Sequence, residues 1–266
     1  MLKRSINIEY LYAELPFLDR IAAAKADGFE YIEFWGWEGK DLPAIKAKLD
    51  ETGVKFAGMS GDGPLSMCDP ANKEAYIAFI KQSIEASKII GNTRLIIHSD
   101  ALQDFPHQYA VPLSGDYSYE TKLYTMLDVL KTIAPLGEEA GITLEVEALN
   151  TVKDHKGVFL NNTTMNGDLV RAVGSPNVKI LYDAYHMYLD EGQVFEKTTE
   201  YIDVIGYIHI ADAPGRGEPG TGAINFKNYM LLLSKLGYEH IVGYELEPAV
   251  DSKTAIEAIR EVSDNI

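Results

Sequence analysis

Short runs of apolar residues alternate with longer segments of 3.6-residue periodicity along almost the whole chain. The short runs fall at residues 5–8, 31–34, 55–59, 93–97, 143–147, 178–183, 207–211 and 241–245. Their length and their content of branched and aromatic residues predict strands. The periodic segments fall at 16–26, 42–51, 73–90, 119–139, 167–173, 194–203, 226–236 and 252–262 and predict amphipathic helices. Gly28, Gly53, Gly141 and Gly237 stand between a helix-like segment and the next strand, where positive φ ends a helix without a Cβ penalty. Eight such βα units, at roughly 30 residues each, predict an α/β fold of the (β/α)₈ TIM-barrel type. A doubly wound open sheet has a similar rhythm, but no G-x-G-x-x-G or G-x-x-x-x-G-K motif follows the first strand. No linker-like tract divides the chain, so residues 1–266 are expected to form a single barrel domain. The longest irregular stretch, 99–116 with Phe105-Pro106-His107 inside it, is expected to be a lid or binding loop.

Four late strands end in residues that a barrel interior does not accept cheaply. Strand five carries Glu145 and Glu147, strand six ends at Asp183, strand seven carries Tyr207 and His209, and strand eight leads into Glu245 and Glu247. Strand residues two apart share a face, so Glu145 with Glu147, Tyr207 with His209 and Glu245 with Glu247 are expected inward pairs. An interior carboxylate is costly unless it is paired or binds a cation. Glu147, Asp183, His209 and Glu245 together offer three carboxylates and an imidazole. That donor set suits one divalent ion, Mn²⁺ or Mg²⁺ first and Co²⁺ or Zn²⁺ after them. Taken singly, Asp183 could equally cap the turn that follows it, and His209 could be a hydrogen-bonded core histidine. The Gly- and Pro-rich segment 213–222 predicts a rigid turning loop. Its single Arg216 could grip a substrate carboxylate or form a structural ion pair with Glu218 or another acid.

Composition narrows the partners. The 40 acidic and 24 basic residues give a formal charge of -16, which repels phosphate backbones and anionic lipid, so neither nucleic acid nor a membrane is expected as a partner. The 46% apolar and 24% charged fractions are those of an ordinary globular protein. Cys68 is the only cysteine, which removes internal disulfides and cysteine-rich metal sites and points to the reducing cytoplasm. The N-terminal residues lack the apolar stretch of a signal peptide, and no run reaches the roughly 18 apolar residues that span a bilayer. A homo-oligomer is compatible with these residues on frequency alone.

The residues that carry the candidate chemistry also carry a resemblance. Phe34-Trp35, Glu147-Ala148-Leu149-Asn150-Thr151, Tyr182-Asp183-Ala184-Tyr185-His186-Met187 and the block from Ile210 through Arg216 to Phe226 resemble the hydroxypyruvate isomerase family. That family lies within the xylose-isomerase-like barrel superfamily, with ketose 3-epimerases as near relatives. The resemblance implies that Glu147, Asp183, His209 and Glu245 are metal ligands. It implies that Glu147 and Glu245 transfer the substrate proton, and that His186 and Arg216 hold substrate oxygens. Two departures separate the chain from hydroxypyruvate isomerases of the family. They commonly carry Gln where this chain has His209, as sugar epimerases do not. They also often carry Asn-Thr-Arg where it has Asn150-Thr151-Val152.

The expected reaction is interconversion of hydroxypyruvate and 2-hydroxy-3-oxopropanoate by proton transfer through an enediolate. A ketose 3-epimerase acting on a free keto-sugar is the alternative, favoured by His209 and the long 99–116 loop. A non-catalytic sugar-acid binding protein is a third reading from a different class. In each case the expected partner is a small hydroxy-keto acid or keto-sugar. Trp35 and Trp37 are expected either at the pocket or in a subunit contact.

Overall fold

The computed structural model describes residues 2–104 and 108–264, so Phe105-Pro106-His107 of the expected loop lie outside the described residues. Eight parallel strands close into a barrel in sequence order. They are β1 (Lys3–Asn7), β2 (Tyr31–Glu33), β3 (Lys55–Ser60), β4 (Arg94–Ile97), β5 (Thr143–Glu147), β6 (Val178–Asp183), β7 (Ile205–Ile210) and β8 (Ile241–Tyr244), with β8 pairing back onto β1. Helices α1 (Phe17–Ala26), α2 (Leu42–Thr52), α3 (Lys73–Ile90), α4 (Tyr119–Ala140) and α5 (Thr163–Val173) connect the first six strands. Helices α6 (Ala184–Asp190) and α7 (Val194–Tyr201) follow β6, then come α8 (Phe226–Lys235) and α9 (Ser252–Ser263). This is the TIM barrel that the periodicity predicts.

The alternation along each strand divides the core in two. Ile6, Ile32, Leu95, Leu144, Val146, Ile180, Tyr182, Ile208, Ile210 and Val242 join the large apolar layer that includes buried residues of the surrounding helices. Their neighbours point inward, where Ala57, Ile96, Leu181, Tyr207 and Ile241 pack as a small apolar plug. Above that plug, toward the strand C-termini, inward positions are polar. Glu33, Glu147, Asp183 and His209 are all buried there. A barrel interior has room for layers of side chains, and here the top layer has been given to charge.

Two helices differ from the sequence expectation by more than two residues. Helix α5 starts at Thr163 rather than Gly167, because the Asn162 side chain caps it by accepting from the Met165 amide at 2.8 Å. Helix α6 has no counterpart among the periodic segments. Its seven residues are too few to show periodicity, and its cap is Asp183 itself, the last residue of β6. In the 99–116 stretch, Leu102 and Ala110 form an isolated antiparallel bridge, and Ser114 is tied to Asp69 through its amide at 2.6 Å and its hydroxyl at 2.8 Å.

Candidate active site

Glu147, Asp183, His209 and Glu245 converge at the C-terminal mouth of the barrel, each offering one ligand atom within 4.8 Å of the others. Backbone register accounts for the convergence. Asp183 and His209 are direct partners across β6 and β7, and His209 lies opposite Gly243 of β8. A Cβ at Gly243 would come within 2.6 Å of the Tyr207 hydroxyl and 2.9 Å of the His209 ring, so glycine there makes room for both inward side chains. Strand β8 stops at Tyr244, which frees Glu245 to turn into the cavity. Glu247 is exposed, so the expected inward pairing of Glu245 with Glu247 does not form. Glu145 does share the inward face with Glu147 but lies lower, where the Arg94 Nε approaches it at 3.5 Å.

Asp183 fills the capping role that its sequence position left open and keeps its second oxygen clear of it. Its Oδ1 accepts from the Tyr185 and His186 amides at 2.7 and 3.2 Å and starts α6. Its Oδ2 is buried with no hydrogen-bond partner among the described residues, and the same holds for Glu147 Oε1 and His209 Nδ1. Three unpartnered polar atoms in one small volume carry a large desolvation penalty, which a divalent cation would remove. Oxygen-rich coordination with one imidazole suits a hard or borderline ion. Burial, reinforced by the neighbouring Glu147 charge, pushes the Asp183 carboxyl up to about 7. Burial would raise Glu245 too, but Arg216 and then His209 hold it well below the usual carboxylate range.

The first half of the barrel supplies Trp35, which the sequence offered as a pocket residue, together with Glu33, Asn7, Asp62 and His98, which sequence reading missed. Glu33 on β2 accepts a hydrogen bond from the Tyr207 hydroxyl and from His209 Nε2 at 3.2 Å. It therefore turns the His209 Nδ1 toward the cluster, 3.5 Å from Glu245 Oε2. Asn7 and Trp35 donate to Glu245 Oε1 at 3.2 and 2.7 Å. His98, just past β4, lies between Asp62 and Glu147 with 3.1 Å to each. Burial would lower its pKa, yet Asp62 and Glu147 outweigh that and push it to about 10, so both ring nitrogens donate. Trp37 points elsewhere and donates to the Ser83 hydroxyl at 2.9 Å.

His186 and Arg216 complete the wall. The His186 Nδ1 accepts from the Asn150 side-chain amide at 2.6 Å, while its Nε2 faces Asp183 Oδ2 at 3.6 Å and Glu147 Oε1 at 4.0 Å. Burial and the nearby Arg216 hold this imidazole well below its ordinary pKa, so it is neutral. Arg216 pairs with Glu245 Oε2 at 2.8 Å and lies between the Tyr10 and Tyr185 rings. The expected ion pair with an acid therefore forms, but with Glu245 rather than Glu218, which instead accepts from the Ala249 amide at 2.9 Å. Arg216 takes a φ of 62°, costly for a residue with a Cβ. Its loop sustains that geometry through Asp212, whose carboxylate accepts from the amides of Ala213, Gly220, Gly222 and Ile224 at 2.8–3.0 Å. A Cβ at Gly222 would fall 2.0 Å from the Ala213 carbonyl oxygen, so the turn needs glycine there.

These groups line a cavity of about 180 Å³. A wall of two carboxylates, a neutral imidazole donor and a guanidinium can bind adjacent oxygens of a small molecule and move a proton between its carbons. No helix of the described residues is long and apolar enough to cross a membrane.

The xylose isomerase-like TIM barrel family model matches residues 21–262. The chain is 30% identical over 257 residues to the 2-oxo-tetronate isomerase of Cupriavidus necator, covering 94% of each protein. It is 29% identical over 267 residues to the hydroxypyruvate isomerase of Escherichia coli, covering 96% of this chain and 97% of that one. Among solved structures, a D-psicose 3-epimerase crystallised with D-fructose aligns at a TM-score of 0.75 and 20% identity, covering 100% of this chain and 92% of that one. Likeness at that identity speaks for the fold alone.

Proposed function

We propose, for a chain that belongs to the xylose isomerase-like TIM barrel family, that it is a metal-dependent isomerase of small hydroxy-oxo acids. Its reaction would move a carbonyl between adjacent carbons of hydroxypyruvate or of the longer 2-oxo-tetronate, the substrates in the names of its curated relatives. The observation that carries this reading is the set of buried atoms Glu147 Oε1, Asp183 Oδ2 and His209 Nδ1 at the barrel mouth, none with a hydrogen-bond partner among the described residues. Together with Glu245 they would hold one divalent ion, Mn²⁺ or Mg²⁺. When bound, that ion would polarise the substrate carbonyl and make the neighbouring C–H more acidic.

The chain's own residues then supply the proton chemistry. A carboxylate has two oxygens, so Glu147 and Glu245 can each serve as ligand with one and exchange a proton with the other. With hydroxypyruvate, one of them takes the C3 proton, the C3–H electron pair becomes the C2–C3 double bond, and the carbonyl pair moves onto O2. Protonation at C2, loss of the proton on the C3 hydroxyl and gain of one at O2 give 2-hydroxy-3-oxopropanoate. Nothing is oxidised or reduced overall. The His186 Nε2–H donates to a substrate oxygen in the ring tautomer that Asn150 fixes. The Arg216 Nε, buried and without a hydrogen-bond partner among the described residues, is available to the substrate carboxylate.

A second reading, ketose 3-epimerisation, is favoured by the two carboxylates Glu147 and Glu245 meeting at one centre, since a second acid can return the proton to the opposite face. Proton NMR in D₂O separates the two. Metal-loaded protein given hydroxypyruvate, 2-oxo-tetronate and a panel of ketoses should shift the carbonyl of an oxo acid and incorporate deuterium, while Glu147→Gln should not. Inversion at C3 of a ketose without carbonyl migration would favour the epimerase. Saturable binding with no deuterium incorporation would leave only a binding protein.

A further inference from the structure

His155 lies in the loop between β5 and α5, buried at 3% exposure, and neither the metal cluster nor the proton transfer uses it. Its Nδ1 stands 3.0 Å from the Gln108 carbonyl oxygen. A carbonyl can only accept, so Nδ1 carries the ring proton. Burial, followed by the charge of Arg216, pushes this imidazole down to about 4, so it is neutral at physiological pH and Nε2 is left with a bare lone pair. That Nε2 is buried, has no hydrogen-bond partner among the described residues, and belongs to a ring that lines the cavity. The neighbouring His186, 5.1 Å away between ring centres, is fixed in the reverse sense. The Asn150 Oδ1 accepts from the Lys153 and Asp154 amides at 3.0 and 3.1 Å, which leaves its NH₂ group to face His186 Nδ1 and forces the His186 proton onto Nε2. The wall thus presents a donor beside the reacting centre and, one ring further along, an acceptor with no donor among the described residues.

From this pairing we infer that His155 Nε2 is a specificity determinant that accepts a hydrogen bond from a substrate hydroxyl beyond the two carbons between which the carbonyl moves. The inference rests on the isomerase reading and sharpens its substrate class. A carboxylate oxygen has no proton to give and would be repelled there. Hydroxypyruvate has its only hydroxyl at a reacting carbon and would leave the lone pair buried and unmet. The substrate is therefore a polyhydroxylated oxo compound of at least four carbons. A site built around such a hydroxyl rejects an analogue lacking it, because its own polar group stays unpaired.

The test compares 2-oxo-tetronate with its 4-deoxy analogue, 3-hydroxy-2-oxobutanoate, on the metal-loaded wild type, His155→Leu and His155→Gln. Wild-type kcat/KM should favour the 4-hydroxy substrate by about ten- to hundredfold. His155→Leu should bring that ratio to within about twofold of unity, and His155→Gln, whose amide oxygen can accept, should recover part of it. A wild-type ratio near unity, or an undiminished ratio in His155→Leu, overturns the inference. Turnover of hydroxypyruvate alone overturns the inference and leaves the isomerase reading standing, whereas if none of the three compounds is turned over the isomerase reading falls and the role of His155 is decided separately by calorimetry. The same ratio is then read from the dissociation constants of D-erythronate and its 4-deoxy analogue. Preference for erythronate that is lost in His155→Leu upholds the inference, and equal binding in wild type overturns it.

Discussion

Glu33 offers the sharpest test of how the cluster is held, because it touches none of the chemistry directly. Its carboxylate is almost fully buried and accepts from both Tyr207 and His209 Nε2. Burial alone would lower the His209 pKa, yet Glu33 first and Glu245 after it raise it well above the ordinary value. In the metal-free protein the imidazole therefore holds a proton on Nδ1 that a cation must displace, while Glu33 keeps the Nε2 proton in place. Glu33→Gln retains an acceptor but loses the charge, and should weaken divalent-metal binding about tenfold. Glu33→Ala also leaves Nε2–H and the Tyr207 hydroxyl without an acceptor, and should cost about a hundredfold, or roughly 2.7 kcal/mol. Calorimetric titration of chelator-stripped protein with Mn²⁺ reads both, with circular dichroism to establish that each variant is folded. Two folded variants that bind Mn²⁺ as tightly as wild type would refute the positioning role of Glu33.

Other consequences follow from the same geometry. The Glu145 carboxyl, raised by burial against the weaker pull of Arg94 and Lys179, stands at about 7 rather than 4.5. Its protonated form therefore stabilises the fold at low pH, and that stability is lost as pH rises through the folded value. Urea unfolding of wild type and Glu145→Gln from acid to neutral pH should show the wild type losing about 3 kcal/mol relative to the variant. Saturating Mn²⁺ at about 100 times its dissociation constant should add about 2.7 kcal/mol, raising Tm by about 5–10 °C. EDTA should abolish that gain, and Asp183→Asn should barely show it. Arg216→Met should move the acid limb of the kcat/KM profile to higher pH, because Arg216 is the main group holding Glu245 low. An unmoved limb would separate Glu245 from the rate.

The barrel was legible because each βα unit announces itself locally, through a short apolar run, a helical period and often a glycine between them. The late-strand members of the buried cluster were legible for a related reason, since Glu147, Asp183 and His209 break apolar runs toward their C-terminal ends. Glu33 breaks one too, but in Glu30-Tyr31-Ile32-Glu33 it looks like ordinary alternation with solvent. Only closure of the barrel, which brings the inward face of β2 toward β7, gives it His209 as a partner. Glu247 misled in the opposite direction, because the two-residue rule holds only while a strand continues and β8 ends at Tyr244. His155 sits in a loop whose path depends on the Asn150 side chain and on Gln108 across the mouth, contacts that no periodicity encodes.

Anomalous diffraction from crystals of the Mn²⁺-loaded protein measures the coordination directly. Convergence of the four side chains on one ion predicts a single strong peak about 2.0–2.4 Å from an atom of each of Glu147, Asp183, His209 and Glu245. A saturated crystal with no peak there, or with manganese bound elsewhere while these side chains keep to their hydrogen bonds, would contradict it.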